Sequence, residues 1–180
     1  LNAGALGLNT AVGQQAGKAM TTGIQNTLIG ANAGDSLTDA DFNVALGHTA
    51  LQADTIGSRS VALGYGALAN QNFTTATNTF NVAVGMSAGL NITTGIQNTL
   101  IGSEVGDALT DADFNVAVGY GALAADTLGS RSVAIGYGAL LSQNFTTATN
   151  SHNTAVGYTA GIAITTGRLN TVVGGEAGDS

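Results

Sequence analysis

The chain has 180 residues, 27 of them glycine, with no proline, cysteine or tryptophan, 8% charged residues, 5% aromatic residues and a formal net charge of −7. Its four basic residues, Lys18, Arg59, Arg131 and Arg168, cannot supply the basic footprint that nucleic acid requires, and the lack of cysteine excludes a disulfide scaffold. No apolar run reaches the length of a membrane span, so no membrane insertion is expected of this segment, and no signal peptide is recognised.

With so few bulky residues, a core must be built from Ala, Val, Leu, Ile and Thr, which favours a thin, layered fold. Along the chain a nine-residue block recurs: Asn or Ser, Thr or Val, a small or aliphatic residue, Val/Ile/Leu, Gly, two variable residues, Ala or Val, then Gly or Leu. It starts at Asn9, Asn26, Asn43, Ser60, Asn81, Asn98, Asn115, Ser132, Asn153 and Asn170. The starts lie 17 residues apart, except for 21 after Ser60 and after Ser132, so four blocks form a 72-residue super-repeat. Residues 9–80 and 81–152 share 52 of 72 positions, and the last block residue keeps the beat Gly, Gly, Leu, Leu. Duplication of a four-block cassette explains this. The chain therefore reads as one repeat domain over 1–180, with super-repeats 9–80 and 81–152 and a partial third at 153–180. It ends partway into a coil with no polar cap, which predicts a slice of a longer fibre.

Seventeen residues are too few for a pair of packed helices but suffice for one coil of a β-solenoid. Each block predicts a strand, with aliphatic residues two apart, as at Val44 and Leu46 or Val61 and Leu63, ended by a glycine bend at Gly47, Gly64, Gly119 and Gly136. The fold class expected is all-β, a parallel β-solenoid of about ten coils, roughly 48 Å long at about 4.8 Å per coil. Both strand faces are apolar, so both must be covered. One lines the coil; the other is expected to meet a copy of the chain, with the small Ala face (Ala62) permitting close approach. On that reading Leu63→Asp and Ala62→Glu both abolish assembly, because each buries an unpaired charge. The block-opening asparagines Asn9, Asn26, Asn43, Asn81, Asn98, Asn115, Asn153 and Asn170 are expected in a turn ladder, left-handed themselves, with amides bonded one coil away.

Candidate sites are few. Asp39 with Asp41, repeated as Asp111 with Asp113, is a weak calcium candidate, since Asp-x-Asp supplies too few oxygens. A solvated turn fits better, with Arg59 pairing Asp41 or Asp54, and Arg131 pairing Asp113 or Asp126. His48 and His152 are replaced by Tyr120 and Phe80 in the other copy, as a ligand or catalytic base would hardly be. No Ser/His/acid constellation or phosphate loop exists, so no catalysis and no cofactor are expected. The loop QNFTTATN, identical at 71–78 and 143–150, fills the four extra residues of the long coils. Asn72, Phe73 and Thr74, and Asn144, Phe145 and Thr146, are its candidate surface contacts, with burial of the two phenylalanines the favoured alternative because an exposed Phe row would aggregate.

The segments GSRSVALGYGALA (57–69) and GSRSVAIGYGALL (129–141) resemble the S-V-A-I-G-x-x-S/A repeats of trimeric autotransporter adhesin heads. NTAVGYTAG…TTG…NTVVG (153–174) looks like repeats of trimeric tail-fibre and fibre-shaft proteins of phages and bacteria. The resemblance spans all ten coils. It implies a left-handed β-roll in each of three chains packed about a common axis, an extracellular location on a cell surface or virion, and possible binding of a host-surface glycan or protein. Adhesin-head coils are usually shorter than 17 residues, so lateral loops must bulge outward here. The alternative is a monomeric ligand- or ice-binding β-solenoid; the pairs Thr21-Thr22, Thr93-Thr94 and Thr165-Thr166 recur only every 72 residues, which speaks against a regular ice-binding row.

Overall fold

The computed structural model describes residues 7–179, and among them there is no helix. Every block forms one three-residue strand, from Thr10–Val12 and Thr27–Ile29 through Val44–Leu46, Val61–Leu63 and onward to Thr154–Val156 and Thr171–Val173. These ten strands lie in sequence order in one parallel sheet, giving a β-solenoid of about ten coils. The repeat sets the register. Ala45 stands opposite Ala62, and Ala62 opposite Ala83, although the second pair is separated by a 21-residue coil. The four extra residues are absorbed in the loop, which adds a short strand of its own: Thr77–Asn78 pairs with Gly57–Ser58, and Thr149–Asn150 with Gly129–Ser130.

The faces of the strand are opposite to expectation. The middle residue, Ala45, Ala62, Ala83, Ala117, Ala134 or Ala155, or Leu28 or Leu100, is completely buried inside its own coil. The flanking residues point out, so Leu46 keeps 46% of its surface exposed and Ile135 38%. The assignment of the Ala62 face to an interface between copies is therefore corrected: the outward face carries Val61 and Leu63. A coil this thin has room opposite the strand for a methyl group, or for one leucine if its neighbour is glycine.

That steric rule accounts for the Gly, Gly, Leu, Leu beat. Where the ninth block residue is glycine, the residue three further on is aliphatic and fills the core: Gly34 precedes Leu37, Gly89 precedes Ile92 and Gly106 precedes Leu109. A Cβ on Gly34 would lie 2.7 Å from Leu37 Cδ1 and 2.9 Å from Leu28 Cδ2. Where the ninth residue is Leu51, Leu68, Leu123 or Leu140, that leucine is the core residue, and the residue three further on is Asp54, Gln71, Asp126 or Gln143. The four leucines adopt left-handed φ of 50–57°, a conformation that costs about 1–2 kcal/mol for a residue with a Cβ. Burying each leucine recovers roughly 1.5–3 kcal/mol.

The corners close by backbone chemistry. Gly47 has φ 142°, and a Cβ there would sit 2.3 Å from Gly64 O in the next coil; Gly64, Gly119 and Gly136 repeat this, so only glycine can stack coil on coil. The asparagines form the expected ladder, but not in the left-handed region. The residue before each carries the positive φ instead, as at Phe42 and Phe114 (both φ 60°). Each Asn amide stays free to bridge. The N–H of Asn43 donates to Asn26 Oδ1 (2.9 Å), that of Asn98 to Asn81 Oδ1 (2.9 Å), and that of Asn115 to Asn98 Oδ1 (3.0 Å). The Nδ2 of Asn26 donates to Ala40 O and that of Asn81 to Gly95 O, both at 2.7 Å. Asn9, Asn153 and Asn170 join the same ladder.

Candidate functional site

At the junction of the third and fourth coils the core is polar. Asp54, Ser60, Gln71, Thr79 and Asn81 are all fully buried. Asp54 Oδ1 accepts the N–H groups of Gly57 (3.0 Å) and Phe73 (3.2 Å), and Oδ2 accepts Gln71 Nε2 at 2.6 Å. Gln71 Nε2 also donates to Ser60 Oγ (2.9 Å), and Gln71 Oε1 accepts Asn81 Nδ2 (2.9 Å). The second cassette repeats the node around Asp126, Gln143, Ser132 and Asn153. Among the described residues no buried side-chain polar atom lacks a partner. Burial pushes the Asp54 carboxyl above its ordinary value, against the opposing hydrogen bonds from Gln71, Phe73, Gly57 and Thr55. This node is the part of the core that the pattern of hydrophobic residues did not announce. Its only sequence signal is a polar residue three positions after each block-ending leucine.

Phe73 and Phe145 close over the two nodes and are 5% and 6% exposed, so neither ring is on the surface. Around them Asn72 and Thr74, and Asn144 and Thr146, are exposed. The loop therefore presents amides and hydroxyls, without an aromatic platform.

The two Asp-x-Asp motifs are rungs between coils. Asp41 Oδ1 accepts the Ile24 N–H and Asp113 Oδ1 the Ile96 N–H, both at 2.8 Å; Asp39 accepts the Thr22 hydroxyl and Asp111 the Thr94 hydroxyl. Burial, with the neighbouring Asp111 adding to it, raises the Asp113 carboxyl, while the Ile96 N–H and Arg131 oppose the shift. Among the described residues no three His, Asp or Glu side chains converge as a metal ligand set, and no pocket opens on the surface. The arginines do not make the expected carboxylate contacts. Arg59 lies 4.7 Å from the Phe42 ring and donates Nε to Asn78 Oδ1 (3.0 Å), and Arg131 lies 4.6 Å from Phe114 and donates to Asn150 Oδ1 (3.2 Å). Asp54 and Asp126 are out of reach in the core.

The largest surface feature is the outward face of the ten-stranded sheet. Alternate residues of each coil point from it: Phe42, Val44, Leu46 and His48 in one coil, Arg59, Val61, Leu63 and Tyr65 in the next, Phe114, Val116, Val118 and Tyr120 a cassette later. Along one edge His48 stacks on Tyr65 (centroids 5.5 Å apart), Tyr120 on Tyr137 (5.5 Å) and Tyr137 on Tyr158 (5.3 Å). The exposed Tyr120 hydroxyl donates to Glu104 Oε2 (2.7 Å), and that bond raises the tyrosine above its ordinary value. Along the other edge run Phe42, Phe80 and Phe114, 39–49% exposed, with Arg59 between the first two, Gln97 between the second and third, and Arg131 after Phe114. A separate threonine column, Thr21, Thr38, Thr55, Thr93, Thr110, Thr127 and Thr165, interrupted by Asn72 and Asn144, is denser than the Thr-Thr pairs implied. Its hydroxyls are committed, however: Thr38 donates to Thr55 O (3.0 Å) and Thr110 to Thr127 O (3.1 Å).

No family model, curated protein or solved structure matches the chain.

Proposed function

We propose that this chain is a structural segment of an extracellular fibre, built from copies of itself packed through the outward sheet face, with no catalytic role. The observation that carries the reading is that face. Ten strands about 4.8 Å apart make it roughly 43 Å long, and along it Leu46, Ile101, Ile135 and Val173 are 38–70% exposed. A row of exposed aliphatic side chains edged by Phe and Tyr marks a contact surface. The likeness of GSRSVALGYGALA to trimeric adhesin heads supports three copies about one axis, left-handed coils, a cell-surface or virion location, and a binding end directed at a host glycan or protein. The work of such a segment is mechanical, because backbone ladders along the axis and apolar contacts across it must break together.

Leu46→Glu with Ile135→Glu tests the reading. Both side chains point outward, so the coil itself tolerates the change. Circular dichroism like that of the parent, with sedimentation of single chains in place of an assembly, is the expected result; an assembly of unchanged size would place the contact elsewhere.

A further inference from the structure

Three segments carry the Asn-x-Ser/Thr acceptor pattern for N-linked glycosylation: Asn72-Phe73-Thr74, Asn91-Ile92-Thr93 and Asn144-Phe145-Thr146. A transferase reads two atoms of such a motif, the asparagine Nδ2 that becomes bonded to sugar and the hydroxyl two residues on. The structure separates the three sites on those atoms. In the loop of the long fourth coil of each cassette, Asn72 and Asn144 are exposed. Their Oδ1 atoms accept from Thr55 and Thr127, both at 3.3 Å, and neither Nδ2 has a partner among the described residues. Thr74 and Thr146 are exposed, and among the described residues their hydroxyls make no hydrogen bond. The buried Phe73 and Phe145 anchor the middle of each motif, so the two reading atoms are held outward on either side of a fixed residue. At Asn91 both atoms are engaged: Nδ2 donates to Asp107 O (2.9 Å) and the Thr93 hydroxyl to Thr110 O (3.4 Å). The cassette relation points the same way. Asn72 and Asn144 are equivalent positions of an unchanged loop, whereas the equivalents of Asn91 are Ala19 and Ala163.

We propose that Asn72 and Asn144 are sites of N-linked glycosylation and that Asn91 is not. The substrate is a sugar activated through its anomeric carbon on a phosphate leaving group, either a nucleotide sugar or a lipid-linked oligosaccharide. Nδ2 forms a bond to the anomeric carbon, the bond from that carbon to the phosphate oxygen breaks, the phosphate leaves with its electron pair, and one amide proton passes to a base of the transferase. A covalently attached sugar suits this loop better than a captured one, because the aromatic ring on which a captured sugar would stack is buried. The loops lie outside the ten-stranded sheet, so a sugar there leaves the apolar face clear. The biological setting rests on the extracellular reading of the fibre; the chemistry of the two loops does not.

The test has two arms. In one, the purified folded chain is incubated with a soluble sequon-specific N-glycosyltransferase and UDP-glucose. In the other, the chain is exported past a membrane oligosaccharyltransferase charged with a lipid-linked oligosaccharide. Intact mass and glycopeptide sequencing are expected to find sugar at Asn72 and Asn144 in at least one arm, with occupancy at Asn91 at least tenfold lower. The productive arm identifies the donor. Thr74→Val is expected to abolish modification of Asn72 alone, and Thr74→Ser to retain it. Equal occupancy at Asn91, or no sugar on the folded chain in either arm while a peptide spanning residues 68–80 is modified, would overturn the proposal. Light scattering on the same samples reports the assembly separately, so a failure of the glycosylation proposal is not mistaken for a failure of the fibre reading.

Discussion

Gln71 Nε2 donates to Asp54 Oδ2 at 2.6 Å across two consecutive coils, beside the buried Ser60, Thr79 and Asn81. The direction of this bond is imposed from outside. The backbone N–H of Asn98 can only donate, so it fixes Asn81 Oδ1; Asn81 must then offer Nδ2 to Gln71, and Gln71 must offer its own Nε2 to Asp54. The Asp54 carboxylate is the acceptor at which the asparagine ladder that begins at Asn81 terminates, and Asp126 ends the ladder that begins at Asn153 in the same way. In both cassettes the coil that carries the buried aspartate, 43–59 or 115–131, is followed by the 21-residue coil that supplies its glutamine.

Gln71→Leu removes the donor, leaves Asp54 Oδ2 without a partner in a dry core and leaves Asn81 Nδ2 with Gly95 O alone. The expected loss is about 2–4 kcal/mol, read by denaturant melting at fixed protein concentration. Gln143→Leu is expected to match it, because the second node copies the first. A variant that melts with the parent would mean that the node is solvated.

Gly47→Ala places a Cβ against Gly64 O at a φ that residues with side chains rarely adopt. A loss above about 3 kcal/mol, or failure to fold, is expected. Gly175→Ala serves as the control, since nothing lies within 4 Å of its added Cβ, and it is expected to stay within about 0.5 kcal/mol of the parent.

The alternation of Gly–aliphatic and Leu–polar pairs predicts coupling. Gly34→Leu alone collides with Leu28 and Leu37. Combined with Leu37→Ala, it is relieved of the nearer of the two collisions, the one with Leu37. The double variant is expected to be more stable than the sum of the single effects by about 1–2 kcal/mol; strict additivity would refute the shared-volume account.

Arg59→Gln is expected to change stability by less than about 1 kcal/mol, because Arg59 contacts Phe42 and Asn78 rather than a carboxylate. A loss of several kcal/mol in a thermal melt would restore the ion pair with Asp41.

Period, coil number, register and the Asn ladder were legible because each follows from spacing along the chain. The inward turn of Ala62 was not. Val61, Ala62 and Leu63 are apolar on both faces, and alternation alone cannot say which side the chain closes on. That depends on coil width, which is set by the corner at Gly64 and by left-handed Arg59. Asp54 looked like a partner for nearby Arg59 because both lie on a polar stretch. Only the position three residues after Leu51, whose side chain takes over the core, turns Asp54 inward. The loop phenylalanines are buried for the same reason, as each covers the polar node that its own backbone N–H helps to satisfy.

The central claim is that the outward face of the sheet is covered by further copies of the chain. The most direct measurement is the molar mass of the purified 180-residue chain by light scattering, against 17.7 kDa for one copy. The account predicts three times that mass, falling to a single copy in the Leu46→Glu, Ile135→Glu variant. A parent chain that stays at 17.7 kDa across micromolar concentrations, folded and soluble with Leu46 and Ile135 open to water, would contradict it.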